Sequence, residues 1–279
     1  MQPLHYLLVF GVLNNTKIMK MKNVLFICLA VLTVFSCDDI DNLDRIEGMG
    51  PIVESTIEVD NFTGIALDAP FTVELTQGDE ISILAKGHQN IIDRLRTDVK
   101  SDKVNIKLEN GNYKDFELTL YVTMPELNYL SIDGSGKFKV DAFVVEEIRC
   151  HIDGAGDLEF KSTLTVTEDF RIDIDGAGDT YIQELMADNA IVHVDGNGDI
   201  TLRGKATSLE VNIDGMGDVS AFALECKKVE VHVDGLGKTE VQASEELEVE
   251  IDGIGNVYYK GDPTISKDID GIGRLFDAN

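Results

Sequence analysis

In the stretch Ile172-Asp173-Ile174-Asp175-Gly176-Ala177-Gly178-Asp179-Thr180 the centre, Ile/Val-Asp-Gly-x-Gly, is one of eight copies in the chain. The repeated Asp residues are Asp133, Asp153, Asp175, Asp195, Asp214, Asp234, Asp252 and Asp270. Successive copies are 20, 22, 20, 19, 20, 18 and 18 residues apart. Self-similarity at so steady a period marks a stacked architecture, in which each unit is one supersecondary element that buries its apolar side against its neighbours.

Reading outward from each Asp gives the element. One residue before it stand Ile132, Ile152, Ile174, Val194, Ile213, Val233, Ile251 and Ile269, all β-branched. Three before it, Leu130, Cys150, Ile172, Val192, Val211, Val231 and Val249 are apolar, and Lys267 breaks the row. Between these rows stand Ser131, His151, Asp173, His193, Asn212, His232, Glu250 and Asp268, none apolar. Strict period-two alternation predicts a strand with one buried face. After the glycines alternation resumes, through Phe138, Leu158, Thr180, Ile200, Val219, Thr239, Val257 and Leu275 five residues beyond the Asp. Each copy therefore reads as strand, corner, second strand and a variable connection. Such units cannot bury their inward rows alone, so they stack. The expected fold is all-β: a single-stranded parallel β-helix or solenoid of about 20-residue coils, eight of them over residues 125–279.

Residues 52–124 lack the motif but remain β-like, as in Phe71-Thr72-Val73-Glu74-Leu75-Thr76 and Lys103-Val104-Asn105-Ile106-Lys107-Leu108. They read as irregular first coils capping the solenoid, with a separate packed β domain as the alternative. Asn90 to Leu95 suits a short helix or bend. Cys150 falls on an inward row and Cys226 in a connection about 19 Å away along the column at ~4.8 Å per coil, so no disulfide joins them.

The amino end reads as an address. Lys20 and Lys22 precede the apolar run Val24 to Phe35, which is too short for a stable bilayer anchor and ends in Val34-Phe35-Ser36-Cys37. This resembles a bacterial lipobox. Residues 1–36 are then a signal peptide, with the true start at Met19 or Met21, and Cys37 is the lipidated residue. Residues 37–51 form an acidic tether. Its Asp38, Asp39 and Asp41 resemble the surface-export signal of Bacteroides-type lipoproteins, or serve only as a solvated spacer. The expected location is the outer membrane, surface-exposed, with a periplasm-facing orientation as the alternative.

Composition narrows the function. The chain has 279 residues, 43% hydrophobic and 27% charged, and a formal net charge of −27. Such a surface repels phosphate backbones and leaves no role in nucleic-acid binding. Gly-x-Ser-x-Gly, a phosphate loop and His-Glu-x-x-His do not occur in the sequence. No catalytic residue is assigned, and the chain reads as a non-enzyme.

The layout resembles the head GIN domain of putative auto-transporter adhesins, common in lipoproteins of Bacteroides-type bacteria. The resemblance rests on Phe62-Thr63-Gly64-Ile65, on Phe71 to Gly78, on Met124-Pro125-Glu126-Leu127 and on the Asp-Gly-x-Gly ladder, and spans roughly Ile52 to Leu275. It implies a β-helix fold and an adhesion or binding role, and brings no catalytic residue. The expected partners are the membrane, through the lipid anchor, and a glycan or surface protein. A carbohydrate-active enzyme on a β-helix scaffold and a purely structural envelope spacer are the competing readings.

Two readings of the acidic rows stay open. The plainer one has each motif Asp accepting backbone N–H groups of its own turn, with glycine supplying positive φ. The sharper one notes that four residues further on stand Asp157, Asp179, Asp199 and Asp218, so Asp153, Asp175, Asp195 and Asp214 each gain a second carboxylate. Oxygen ligands at that density suit Ca²⁺; beyond that ion no cofactor is expected. His151, His193 and His232, with Asp173 between the first two, read as a surface His–Asp ladder.

Overall fold

A computed structural model describes residues 45–279, which form one compact unit. The segment read as a signal peptide, Cys37 and the acidic residues directly after it lie outside the described residues. The unit is nearly all β, built of parallel coils of about 20 residues that make about seven turns.

The coils stack in register. On the first face, the residues entering each corner pair in the series Ile132, Ile152, Ile174, Val194, Ile213, Val233, Ile251 and Ile269. On the second face, the residues leaving each corner pair in the series Phe138, Leu158, Thr180, Ile200, Val219, Thr239, Val257 and Leu275. The inward rows are buried almost completely, with Ile152, Ile174, Val194 and Ile213 all 0% exposed.

The connection differs from the expectation. It is a third parallel strand rather than a variable loop. Phe143–Val145 pairs with Leu164 to Val166, which pairs with Leu185 to Ala187, and so on to Gln242 and Ala243. In the middle of the column one continuous strand, such as Asp157–Ile174 or Thr180–Val194, runs through all three faces. The bends between faces are register shifts, for example between Phe160 and Thr163. A bulge leaves a residue unpaired and bends the strand, and it also interrupts the alternation by which a strand is read in sequence. Cys226 lies on this third face, pairing with Ala206 and Ala243, and Cys150 lies on the first. Both are free thiols in the core; burial raises them, Cys226 to about 12.

At the amino end the same sheets change direction. Gly64–Asp68 and Thr72–Gln77 pair in parallel with the first motif coil. Beyond them Lys103–Leu108 pairs antiparallel with Leu95–Lys100, and Leu118–Met124 with Ser82–His88, which in turn pairs with Ile52–Ile57. The short helix Gln89–Ile92 buries Ile91 and Ile92 there. Core residues from Phe62 to Val257 form one continuous cluster. At the carboxy end the inward rows turn polar: Lys267 and Asp277 stand where the preceding coils carry Val249 and Tyr259, and both are exposed. Polar substitution of a terminal coil keeps its open edge soluble.

Candidate functional site

A solenoid of this kind offers its outward rows, and the geometry of each row follows from how the corners are made. In every corner the Asp and first Gly N–H groups donate to one carbonyl of the preceding coil. Asp153 and Gly154 donate to Ile132 O at 3.0 and 3.1 Å, and Asp214 and Gly215 to Val194 O at 2.9 and 3.0 Å. The x residue donates to the preceding coil's first Gly, as Ala155 does to Gly134 O at 2.9 Å. The corner N–H groups are thus spent between coils, and the expectation of Asp side chains capping their own turns is corrected. The glycines have another role too. The only glycines with positive φ among the described residues are Gly50, Gly204 and Gly261, none in a motif. A Cβ on Gly154 or Gly178 would instead run into the carbonyl oxygen of Gly134 or Gly156 in the coil before. Glycine is required because backbone lies directly on backbone.

The motif Asp side chains are left facing solvent. Ser131 Oγ donates to Asp133 Oδ1 at 2.9 Å. His151 Nε2 lies 3.8 Å from Asp175 Oδ2, and His193 Nε2 lies 3.6 Å from Asp214 Oδ2. These histidines therefore turn to the motif row of the next coil and not to Asp173, which corrects the expected pairing. Asp173 is 4% exposed although it sits in the outward row. Arg149 and Arg171, in register on adjacent coils, reach over it. Arg149 Nε donates to Oδ2 at 2.9 Å, and Arg171 Nη2 and Nε donate to Oδ1 at 2.6 and 2.9 Å. Burial alone would raise this carboxyl, but the Arg171 hydrogen bonds, then the Arg171 and Arg149 charges, outweigh it and hold the group below the usual carboxylate range. His232 forms a third arrangement, hydrogen-bonded to Glu230 at 2.7 Å and Glu250 at 3.0 Å. Its burial opposes charging, but the two carboxylates prevail and raise its pKa.

The second acidic row clamps one coil to the next. Asp199 N–H donates to Asp179 Oδ1 at 3.2 Å, Asp218 N–H to Asp199 Oδ1 at 3.2 Å and Lys238 N–H to Asp218 Oδ1 at 2.7 Å. Asn256 does the same for Arg274 N–H at 3.1 Å. Where the row carries Lys137 or Lys238, which have no acceptor, the next coil's N–H falls back on a glycine carbonyl: Asp157 to Gly136 O and Asn256 to Gly237 O. Where the clamp forms, from Asp179 onward, a side-chain oxygen serves whether charged or not. One oxygen each of Asp179, Asp199 and Asp218 is therefore engaged by backbone. Asp153, Asp157, Asp175, Asp179, Asp195, Asp199, Asp214 and Asp218 all lie along the corners as two rows, and among the described residues no three His, Cys, Asp or Glu side chains converge as a metal site.

Two features were not singled out from sequence. The first is a pair of open grooves that cross successive coils. One, of about 670 Å³, runs past Thr165, Met186, Lys205, Glu225 and Gln242; the other, of about 700 Å³, runs past Asn189, Ser208, Lys228, Glu246 and Ser266. The second is the x position of the motif. It reads Ser135, Ala155, Ala177, Asn197, then Met216, Leu236, Ile254 and Ile272. The last four are 57%, 45%, 54% and 78% exposed. Reading that single column down the eight copies would have revealed it. Beside it, on the second face, Tyr258 and Phe276 stack at 4.9 Å between ring centroids.

Comparison with known proteins agrees with this geometry. The sequence model of a family described as putative auto-transporter adhesin, head GIN domain, matches residues 61–263. A putative adhesin from Parabacteroides distasonis is 23% identical, with a TM-score of 0.71 over 84% of this chain and 100% of its own. A putative adhesin from Bacteroides fragilis is 25% identical, with a TM-score of 0.65 over 83% of this chain and 99% of its own. A putative lipid binding protein from Parabacteroides distasonis is 24% identical, with a TM-score of 0.73 over 85% of this chain and 100% of its own. Among curated proteins none matches the chain. No helix of the described residues is long and apolar enough to cross a membrane.

Proposed function

The chain belongs to the putative auto-transporter adhesin, head GIN domain, family, and from that premise we propose that it is a lipid-anchored, non-enzymatic binding module of the cell envelope. Acylation of Cys37 ties it to the outer membrane, and the acidic tether sets the solenoid away from the bilayer on the cell surface. Its ligand is a glycan or a surface protein, engaged along the outward rows.

The observation that supports this reading most is that the grooves run along the stacked coils. In one of them Thr165, Met186, Lys205, Glu225 and Gln242 follow one another in register, at ~4.8 Å per step. A linear polymer lying in it meets a new side chain at each step, four of the five polar, which suits retention of a chain. The parallel ladder holds these groups on rigid backbone, so little ordering entropy is lost on binding.

The test is a glycan array probed with the purified protein, run alongside turnover assays on acidic and neutral polysaccharides. Saturable binding without turnover is expected. Turnover would make the chain an enzyme, and neither binding nor turnover would leave a structural spacer. The anchor has its own test. Cys37→Ser should move the protein out of the membrane fraction or leave an uncleaved precursor; unchanged fractionation with no acyl mass would refute lipidation.

A further inference from the structure

The x column of the last four coils is unexplained by folding. In each coil the x residue contributes its N–H to the ladder, as Met216 does to Gly196 O at 2.8 Å and Ile272 to Gly253 O at 2.9 Å. Alanine performs the same task at Ala155 and Ala177. The side chain points to solvent in either case. Large apolar groups at Met216, Leu236, Ile254 and Ile272 therefore add nothing to the core, and they expose a contiguous apolar strip. Scattered exposed apolar residues are ordinary, but a contiguous strip marks a contact surface.

The surroundings of the strip define its occupant. Along one side run the exposed carboxylates Asp214, Asp234, Asp252 and Asp270, two residues before each apolar side chain. Along the other stand Asp218, Lys238, Asn256 and Arg274. The occupant must bring apolar groups flanked on one side by cations. Three coil steps give a strip about 14 Å long. A stable dimer needs about 800 Å² from each partner, and a net charge of −27 sets two copies of this chain against each other. An anionic membrane meets the same carboxylates. A short amphipathic helix meets neither objection. Its apolar residues at i, i+3 and i+7 rise about 5 Å apart on average, close to the coil step, and ten residues span about 15 Å.

We infer that the ridge formed by Met216, Leu236, Ile254 and Ile272 is a docking site for a basic amphipathic helical segment of another polypeptide, with its lysines or arginines set against the motif Asp row. This deepens the binding-module reading, rests on it, and names a polypeptide as one partner.

Fluorescence anisotropy at physiological salt tests it, using the full chain and a labelled 14-residue leucine–lysine peptide with leucines at helical i, i+3/i+4 spacing. A lysine–serine peptide of equal charge serves as control. The expected result is that Leu236→Ser with Ile254→Ser and Ile272→Ser weakens the leucine–lysine peptide about tenfold or more, in keeping with loss of central apolar anchors. Asp234→Asn with Asp252→Asn should weaken it severalfold. These side chains are exposed, so melting temperatures should not move; Ile272→Ser alone, at the most exposed position, keeps the test valid if the triple variant misfolds. Binding of the triple variant within about twofold of the parent, or equal binding of the lysine–serine peptide, overturns the inference. Flotation with phosphatidylethanolamine–phosphatidylglycerol vesicles, or dimerisation in sedimentation, that is lost in the triple variant while peptide binding persists overturns it in favour of a membrane or a second copy. Glycan binding unaffected by the ridge variants leaves the broader binding reading standing whichever way the peptide result falls.

Discussion

The four coils whose corners run from Asp153 to Asp218 and the coils that follow, from Asp234 to Asp277, share a backbone and an exposed motif Asp row, and differ in what stands beside that row. Both use the same carbonyl ladder at the corner. Their inward rows are interchangeable: Ile213 and Ile251 are each 0% exposed. Outside, the earlier coils place Asp in the clamp position throughout and carry mostly small or polar x residues. The later ones carry Lys238, Asn256 and Arg274 in the clamp position, Leu236, Ile254 and Ile272 at x, and the Tyr258–Phe276 stack. Stacking thus separates two sets of positions. One set makes the column and is almost wholly apolar, from Cys150 to Phe160. The other is free to acquire charge in one stretch and apolar surface in the next without cost to the fold.

The largest test of that separation is a charge on the inward row of either region. Ile213→Asp and Val249→Asp should each destabilise by at least about 4 kcal/mol, because an unpaired carboxylate enters an apolar column. Asn212→Asp, on the adjacent outward position, should cost less than about 1 kcal/mol. Similar melting temperatures for Ile213→Asp and Asn212→Asp would mean that the two rows are not distinct.

An intermediate effect concerns Asp173, an outward residue that carries a charge and is nevertheless buried. Arg149→Met with Arg171→Met should cost about 2–3 kcal/mol at pH 7, since it strands a buried carboxylate. The pH dependence should also reverse. With the arginines present the folded-state pKa is lowered, so the stabilisation is complete above the unfolded value and is lost as pH falls through the folded one. Without them burial raises the pKa, and the variant should lose stability as pH rises through it. Urea unfolding at pH 3 and pH 7 reads both; a cost that is the same at the two values would refute the account.

The smallest effect concerns the clamp. Asp179→Ala and Asn256→Ala should each cost no more than about 1 kcal/mol, because the freed N–H falls back on a glycine carbonyl as it does after Lys137 and Lys238. Asp179→Asn should be nearly neutral, because Asn256 makes the same bond with an amide. A loss for Asp179→Asn equal to that for Asp179→Ala, or a melting shift of several degrees in millimolar Ca²⁺ against chelator that Asp179→Asn removes, would restore a role for the charge itself.

Much of this was legible in the sequence. The eightfold repeat and its alternation identified the coils, the inward rows and the burial of Cys150, because alternation is a local property and survives wherever a strand is straight. The third face escaped because its strands are joined by bulges, and spacings that vary between 18 and 22 residues hide its register. The roles of the motif glycines and of the clamp row escaped for a different reason. Each depends on an atom about 20 residues away in the neighbouring coil: Gly134 O beneath Gly154, Asp179 Oδ1 beneath the N–H of Asp199. Turn chemistry read within five residues assigns the wrong partner to both. Asp173 escaped because the two arginines that bury it lie on two different coils.

The coil-to-coil hydrogen bonds have a mechanical consequence. They run along the column, from Ile132 to Gly154 and onward to Gly271. A load applied between the amino end and the ridge on the last coils would pull parallel to these bonds, and would meet them in series, a few at a time, instead of shearing a whole sheet at once. The column would then yield by peeling from its end. Each released coil of 18 to 22 residues would add up to about 80 Å of slack chain. A column held at its amino end would then extend under tension coil by coil and not behave as a stiff rod.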